Sequence, residues 1–476
     1  MNEALDPAGP GLAAEPPALA AGAHVHLVGA GGAGMSALGT VLLERGHPVS
    51  GSDLTAGRQI EALRALGAEI TIGHRQELPA GVDVVVVSTA VTADNPEIAA
   101  AHAAGLAVWR RAELLAALLV GRRGVLVSGT HGKTTTTAML TVALQQAGLD
   151  PTFAIGGTLH DAGTSAHHGS GHLFVAEADE SDGSFLVYRP EVAVVTNVEL
   201  DHHDHWGSET ELAGAFAAFL ARRRQGGIAV CGVDDAGGRR LAATAHPPVV
   251  TYGLADDAQV RAHDLARERG ATVFRVTADR TDLDWWRVRL PGAHNVVNAL
   301  AVVAVAWALD LDLAAVRQAL ASFAGTHRRF QQVGHRRGVT VVDDYAHHPA
   351  EVRAVLAAAR QSQPRGRIIA VFQPHLYSRT LALADDFGVA LAGADMAVVT
   401  DVYGAREQPV PGVSGKLVAD AVSAAGGRVS YVPNGVEIPE AVAELVEDSD
   451  LVLTLGAGDI TETGPQILQR VEQRRG

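Results

Sequence analysis

Residues 124–137 read GVLVSGTHGKTTTT, an apolar strand signal followed by a glycine- and threonine-rich turn into a helix. The turn has the glycine, lysine and threonine order of a phosphate-binding loop. Backbone N–H groups of such a turn, and of the helix that follows it, bind phosphate oxygens. The predicted ATP-binding residues of this turn are Gly129, Thr130, His131, Gly132, Lys133, Thr134 and Thr135.

Two side chains of this turn carry the predicted chemistry. Lys133 neutralises the β- and γ-phosphates, and the Thr134 hydroxyl ligates Mg²⁺. The general pattern has a glycine where this chain has Val127, so the loop is a shortened variant, Gly-x-x-Gly-Lys-Thr. The only other lysine is Lys416, although arginines are abundant, which favours a specific role for Lys133 over a flexible turn.

Acidic loops follow the next two predicted strands. Residues 177–182 read EADESD after the strand 173–176, and carboxylates at a strand's carboxyl end suit Mg²⁺ beside a triphosphate. Residues 197–205, NVELDHHDH, follow the strand 192–196. Their spacing matches no familiar zinc pattern, so a magnesium site to which one histidine contributes is favoured over zinc. Solvated acidic surface remains the alternative for both loops.

A second glycine-rich turn lies near the start of the chain. Residues 29–34 read GAGGAG after the strand signal 24–28, which fits G-x-G-x-x-G, and Asp53 follows at the usual distance. The fingerprint allows a nicotinamide-dependent dehydrogenase. The same turn also binds the pyrophosphate of a UDP-sugar. The predicted residues of this site are Gly29, Gly31, Gly32, Gly34, Ser36 and Asp53.

Strand and helix signals alternate along the chain in three blocks, which predicts parallel, helix-covered sheets. The predicted fold class is α/β with three domains. These are a Rossmann-like domain at 22–120, a central P-loop ATPase domain with a mixed sheet at 121–325, and a Rossmann-like C-terminal domain at 326–476. Short alternating segments between residues 228 and 290 predict an antiparallel patch. Residues 1–21, rich in Ala, Pro and Gly, are predicted to be a disordered extension.

Composition excludes several classes of protein. A net charge of -15 argues against a nucleic-acid binder. The apolar runs are too short for a membrane span, which needs ~20 residues. One cysteine, Cys231, rules out a disulfide within a monomer and suits a reducing compartment. We therefore expect a cytoplasmic protein without a membrane partner, either monomer or homodimer.

These motifs, taken in order, resemble the Mur ligase family, and within it the members that add L-alanine. The resemblance runs from about His24 onward and is far more specific than any single block. It covers the blocks 29–36, 129–135, 177–185, 196–204, 291–299 (PGAHNVVNA), 328–330 (RRF), 343–349 (DDYAHHP) and 372–375 (FQPH).

The resemblance implies that ATP phosphorylates the lactyl carboxylate of UDP-N-acetylmuramate and that L-alanine attacks the acyl phosphate, in peptidoglycan precursor synthesis. Thr134 and Glu177 would bind one Mg²⁺, and His202 would bind a second. The same resemblance implies that further residues take part in catalysis or bind ATP. These residues are His202, His294, Asn295, Arg329, Asp344, His347 and Arg379. His294 and Asn295 approach the adenine, Arg329 and Asp344 the phosphates and ribose, and His347 and Arg379 the L-alanine.

Two departures from the family pattern bear on these roles. Leu376 stands where many members have a basic residue after Gln-Pro-His, which leaves Arg379 as the anchor for the amino-acid carboxylate. A carbamylated lysine is excluded as a metal ligand because no lysine lies between Lys133 and Lys416. The alternatives kept open are a Mur-type ligase that adds a peptide or another amino acid, a dehydrogenase, and a non-catalytic protein switched by ATP.

Overall fold

The computed structural model describes residues 18–160, 162–200, 205–268, 271–405 and 407–474. The predicted metal ligand His202 and most of the predicted extension 1–21 lie outside these residues. Leu19, within the extension's described end, is half-buried against the core of the first sheet.

Five parallel strands form the first sheet. The strands are β1 (Val25–Val28), β2 (Val49–Asp53), β3 (Glu69–Ile72), β4 (Val84–Val87) and β5 (Ala107–Arg110). The helices between them are α1 (Ala33–Glu44), α2 (Arg58–Ala65), α3 (Pro96–Ala103) and α4 (Arg111–Leu118). The order β3-β2-β1-β4-β5 reverses direction at β1, so a crevice forms at the carboxyl ends of β1 and β4.

The second sheet has ten strands. They are β6 (Arg123–Ser128), β7 (Thr152–Ala154), β8 (Ala166–His167), β9 (Leu173–Glu177), β10 (Val192–Val195), β11 (Ile228–Gly232), β12 (Val249–Gly253), β13 (Val260–Glu268), β14 (Ala271–Ala278) and β15 (Thr281–Val288). The accompanying helices are α5 (Lys133–Gln146), α6 (Glu209–Ala221), α7 (Ala236–Thr244), α8 (Ala293–Ala308) and α9 (Leu313–Ser322). The order is β15-β14-β13-β12-β11-β10-β6-β9-β7-β8.

The centre of this sheet positions the predicted ATP turn. Strands β10, β6 and β9 are parallel neighbours, and each is almost wholly buried, as expected for apolar strands covered on both faces. Because their carboxyl ends meet at one edge, the turn after β6 and the acidic loops after β9 and β10 lie side by side. The pairing of β7 with β8 is antiparallel, so the sheet is mixed, as predicted.

The first part of the predicted antiparallel patch is parallel in the structure. Strands β11 and β12 pair in parallel, both with each other and with β10 and β13. The helix α7 lies between β11 and β12, and such a crossover connects parallel strands. The prediction was therefore wrong for residues 228–253, where short apolar runs are buried strands rather than alternating ones.

The third sheet has six strands. They are β16 (Gln331–Arg336), β17 (Val339–Asp344), β18 (Ile368–Phe372), β19 (Met396–Val399), β20 (Val429–Tyr431) and β21 (Leu451–Leu455). The helices are α10 (Pro349–Ser362), α11 (Tyr377–Leu391), α12 (Gly415–Ala424), α13 (Ile438–Leu445) and α14 (Thr463–Arg474). In the order β16-β17-β21-β18-β19-β20, only β16 is antiparallel. Separate apolar cores on its two faces make it the doubly wound sheet that was predicted.

Three sheets of this kind confirm the predicted α/β fold class. The chain divides into two compact units. The first unit contains the described parts of Met1–His263, Arg275–Trp286 and Val297–Phe323. The second unit contains the described parts of Asp264–Phe274, Arg287–Val296 and Ala324–Gly476. The first sheet and most of the second share one unit, so the domain boundaries after residues 120 and 325 stay predictions. No helix among the described residues is long and apolar enough to span a membrane.

Candidate active site

The turn between β6 and α5 depends on two glycines. Gly129 has φ +124°, and a Cβ atom there would lie 2.1 Å from the Thr196 hydroxyl. Gly132 has φ +84°, and its Cβ would lie 2.5 Å from Oδ1 of Asn298. No larger residue fits either position without displacing its neighbours, so both glycines are needed for the turn to form.

Lys133 begins α5 and its ammonium is held in place by three oxygens. Nζ donates to the Gly129 carbonyl at 2.7 Å and the Thr130 carbonyl at 3.2 Å. It also pairs with Oε1 of Glu180 at 2.7 Å. Burial opposes the charge on Lys133, but Glu180 and the other nearby carboxylates outweigh it and hold the pKa of the ammonium above its usual value. The group is therefore a fixed cation at a helix N-terminus, the arrangement that suits phosphate.

Glu180 is the fully buried partner of this cation. Burial raises the pKa of its carboxyl group to about 7, although Lys133 acts in the opposite direction. Its backbone carbonyl accepts a 3.0 Å hydrogen bond from the indole of Trp206. The sequence placed Glu180 in an acidic loop but did not single it out, because only the fold shows which of the loop's carboxylates turns inward to Lys133.

Thr134 and Glu177 supply oxygen atoms that suit Mg²⁺. The Thr134 hydroxyl lies 3.1 Å from Oε2 of Glu177, and the other carboxylate oxygen accepts the backbone N–H of Gly156 at 2.6 Å. Among the described residues, no group of three or more His, Cys, Asp or Glu side chains is arranged to hold a metal by itself. A hydroxyl and one carboxylate fit Mg²⁺, which takes few protein ligands and completes its shell with phosphate and water.

Two asparagines that the sequence analysis did not single out shape this turn. The Asn197 side chain accepts the His131 N–H at 2.9 Å and donates to the His131 carbonyl at 2.9 Å. Asn298, in α8, accepts a 3.3 Å hydrogen bond from Thr136. Both residues lie in blocks that carry the family resemblance. Their role is visible only after distant segments meet.

The predicted UDP-sugar turn lies between β1 and α1. Oδ2 of Asp53 accepts the Gly31 N–H at 2.8 Å, and Oδ1 accepts the Thr55 N–H at 3.2 Å. Asp53 therefore orders the turn itself. Ser36 is buried in α1, and its hydroxyl donates to the Ala33 carbonyl at 3.1 Å.

The second compact unit brings together the predicted residues for adenine, phosphate and ribose. Oδ2 of Asp344 accepts the Phe330 N–H at 2.7 Å, and Oδ1 accepts the Ala346 N–H at 2.8 Å. Burial raises the pKa of Asp344 to about 6 despite the nearby guanidinium of Arg329.

His294 and Asn295 lie in the same unit. Burial and the charge of Arg329 lower the pKa of His294 to about 4, so its imidazole is neutral at neutral pH. Asn295 donates from its side chain to the Pro291 carbonyl at 2.7 Å, which orders the start of α8.

The residues predicted for the L-alanine end meet at the carboxyl edge of the third sheet. The His347 and His375 rings lie 5.9 Å apart between centroids, and the His375 ring stacks on Tyr403 at 5.9 Å. Nη1 of Arg379 lies 3.4 Å from Nδ1 of His375. Arg379 is buried in the first turn of α11, not exposed as a surface charge would be. The structure thus joins His347 and Arg379 through His375, which the sequence analysis left without a role.

Three family models match the chain in succession. Residues 24–123 match the model described as Mur ligase family, catalytic domain. Residues 127–306 match the Mur ligase middle domain. Residues 328–458 match the Mur ligase, glutamate ligase domain. Together the three matches span most of the chain.

Whole-length relatives agree with these matches. A UDP-N-acetylmuramate–L-alanine ligase of Saccharopolyspora erythraea is 50% identical over 464 residues, covering 95% of this chain and 94% of that protein. One of Kineococcus radiotolerans is 50% identical over 461 residues, with 95% and 97% covered. The crystal structure of a UDP-N-acetylmuramate-alanine ligase from Thermotoga maritima has a TM-score of 0.82 at 30% identity, covering 95% of this chain and 99% of that one. A murein peptide ligase of Psychrobacter arcticus, at 24% identity and a TM-score of 0.71, shares the fold.

Proposed function

The chain belongs to the Mur ligase family, and we propose that it joins L-alanine to the lactyl carboxylate of UDP-N-acetylmuramate through an acyl phosphate, at the expense of ATP. The observation that carries the proposal is 50% identity to UDP-N-acetylmuramate–L-alanine ligases across 95% of the chain. A dehydrogenase is excluded because these whole-length relatives are ligases. The product contributes to peptidoglycan synthesis.

The first unit supplies the groups that phosphoryl transfer needs. Transfer of a phosphoryl group depends mainly on positioning and charge neutralisation. Lys133, fixed by Glu180 at the start of α5, would hold the γ-phosphate, and backbone N–H groups of the turn would bind the other phosphate oxygens. Thr134 and Glu177 would hold one Mg²⁺ and His202 a second, and bound Mg²⁺ would supply charge neutralisation for the phosphates.

The cluster in the second unit suits the amino acid. A buried guanidinium such as Arg379 matches the planar carboxylate of L-alanine, so that its amine stays free to attack. His347 or His375 would accept a proton from that amine. We infer a cytoplasmic enzyme, because ATP and both substrates occur in the cytoplasm, and a monomer or homodimer.

One experiment tests the reaction. The purified protein would be incubated with ATP, Mg²⁺, UDP-N-acetylmuramate and a mixture of amino acids, and the product identified by mass. We expect a single product heavier by one alanine residue, together with ADP and phosphate. Phosphate release without a joined product would indicate an ATP-switched binding protein. A product containing a peptide or another amino acid would indicate a different Mur-type ligase.

The amino-acid site can be tested separately through Arg379. Arg379→Lys keeps the positive charge but loses the two-pronged geometry, so we expect the KM for L-alanine to rise roughly tenfold or more while that for ATP stays close to normal. An unchanged L-alanine dependence in steady-state kinetics would remove Arg379 from the site and direct attention to Arg353.

A further inference from the structure

Arg111 lies directly on the first turn of α1. It is the first residue of α4, immediately after β5. A Cβ placed on Gly34 would lie 3.1 Å from both Cδ and Nη1 of Arg111. Gly34 therefore does more than form the glycine-rich turn, because its missing side chain makes room for this guanidinium.

The other side of Arg111 faces the acidic loop after β9. Nη2 lies 3.9 Å from Oδ2 of Asp179, which is an ion-pair distance but too long for a hydrogen bond. Burial opposes the charge, but Tyr188 and the loop carboxylates outweigh it and hold the pKa of Arg111 above its usual value. The residue is thus a permanent cation between the UDP-sugar turn and the phosphoryl-transfer site.

The guanidinium of Arg111 is largely buried but keeps some access to solvent, with 20% of the side chain exposed. Its only ion-pair contact among the described residues is the long one to Asp179, which is not a hydrogen bond. The helix dipoles of α1 and α4 both present their positive ends here, which disfavours a cation. A largely buried guanidinium with five donors in such a place suits an anionic ligand that accepts its hydrogen bonds.

We propose that Arg111 binds the lactyl carboxylate of UDP-N-acetylmuramate and positions it for phosphorylation, an inference that rests on the proposed function. The pyrophosphate of the same substrate is the other anion nearby, but backbone N–H groups of the turn at residues 29–34 already suit it. The carboxylate must extend from that turn toward Glu177 and Lys133, and Arg111 lies on this path. Its planar fork matches a carboxylate bidentately.

The test compares two ligands that differ at the lactyl group. UDP-N-acetylglucosamine has the same UDP-sugar frame without the lactyl carboxylate. For Arg111→Ala, we expect calorimetry to show that the Kd for UDP-N-acetylmuramate rises roughly 10- to 100-fold, as for loss of a charge-assisted hydrogen bond. The Kd for UDP-N-acetylglucosamine should stay within roughly threefold of the wild-type value. Arg111→Lys should restore part of the affinity but not all of it, because the fork is lost.

Two controls make the result interpretable. Arg110→Ala removes an arginine charge from the adjacent position and should change neither Kd. An unchanged Kd for ATP and an unchanged melting temperature would show that Arg111→Ala is folded. If Arg111→Ala proves unfolded, Arg111→Lys replaces it and should still weaken only the muramate ligand.

The outcomes separate this inference from the proposed function. Equal weakening of both ligands would assign Arg111 to the pyrophosphate and overturn the proposal. Unchanged affinity for both would reduce Arg111 to a structural residue and overturn it as well. If the wild-type protein bound neither UDP-sugar, the proposed function itself would fail.

Discussion

The molecule contains two glycine-rich turns with the same local design and different chemistry. Each follows a buried parallel strand and opens a helix, the first at residues 29–34 and the second at residues 129–132. Around the first turn, Asp53 orders the backbone through the Gly31 N–H, and Arg111 lies beside Gly34. Around the second, a lysine, a threonine and two glutamates converge. The first turn can bind a phosphate group, whereas the second can also neutralise one that is being transferred.

The comparison teaches that the turn itself determines only that an anion is bound. The difference lies in side chains that arrive from neighbouring strand ends. Strand β9 brings Glu177 and Glu180 to the second turn. The corresponding strand beside the first turn, β2, brings Asp53, which accepts the Gly31 N–H of the turn itself. Substitutions in the first turn should therefore affect the UDP-sugar and not ATP, and substitutions in the second turn should affect ATP and not the UDP-sugar.

The largest effect is expected at Lys133. Lys133→Ala removes the fixed cation of the second turn, and ligation should fall roughly 10²–10³-fold or more. Binding of the UDP-sugar should change little, because the first turn is intact. Formation of the alanine-joined product measures ligation, and calorimetry measures UDP-sugar binding. Lys416→Ala is the matched control, since Lys416 is the only other lysine and pairs with Asp420 on the exposed side of α12. Activity of Lys133→Ala within a few-fold of wild type would contradict the phosphate-loop assignment.

The opposite selectivity is expected at Gly31, where a substitution should weaken binding of the UDP-sugar and leave binding of ATP nearly unchanged. A Cβ there would lie 3.0 Å from Oδ2 of Asp53 and 3.3 Å from Cδ1 of Ile60, so Gly31→Val should distort the first turn. We expect the Kd for UDP-N-acetylmuramate to rise roughly 5- to 100-fold, with little change for ATP. Gly57→Ala serves as control, since its nearest neighbour is 3.8 Å away. Micromolar binding of NADH by a wild-type protein that ignores the UDP-sugar would refute the assignment of this turn.

A smaller effect is expected at the predicted metal ligands Glu177 and His202. Glu177→Gln keeps the shape of the side chain but loses its charge, and His202→Ala removes the predicted histidine. Each should raise the Mg²⁺ concentration for half-maximal activity on the order of tenfold, more than it raises the KM for ATP. Activity would be titrated against Mg²⁺ at saturating substrates. An unchanged Mg²⁺ dependence in both variants would make these loops ordinary acidic surface, and stoichiometric zinc in the purified protein would favour zinc instead.

The smallest effect concerns the pH dependence of stability at Glu180. Its pKa is about 7 in the folded protein, whereas an ordinary glutamate has a pKa of 4.5, so between these pH values the folded state binds the additional proton. Linkage then requires that Glu180 lower the free energy of unfolding as pH rises through this window, by roughly 1–3 kcal/mol. Glu180→Gln should lack that slope. Urea unfolding of both proteins at pH 5 and pH 8 measures the difference, and parallel pH curves would contradict a buried titrating carboxyl group.

Local patterns were sufficient for much of the fold. The strand at residues 124–128, the helix after it, and the third doubly wound sheet follow from short apolar runs and turn residues, and the structure has them. The pairing direction of β11 and β12 was predicted incorrectly, because a short apolar run does not reveal which strand it pairs with. Sheet order is a property of long-range contacts.

What the sequence determined by itself is the set of chemical groups and their order along the chain. Lys133 and Thr134 adjoin a turn whose backbone geometry is local, so their roles can be predicted from a few residues. Only the tertiary structure decided that Glu180 pairs with Lys133, that Asn298 packs against Gly132 from 166 positions away, and that Arg111 occupies the space left by Gly34. Hydrogen bonds and charges act over a few ångströms, and chain folding alone determines which distant residues come that close.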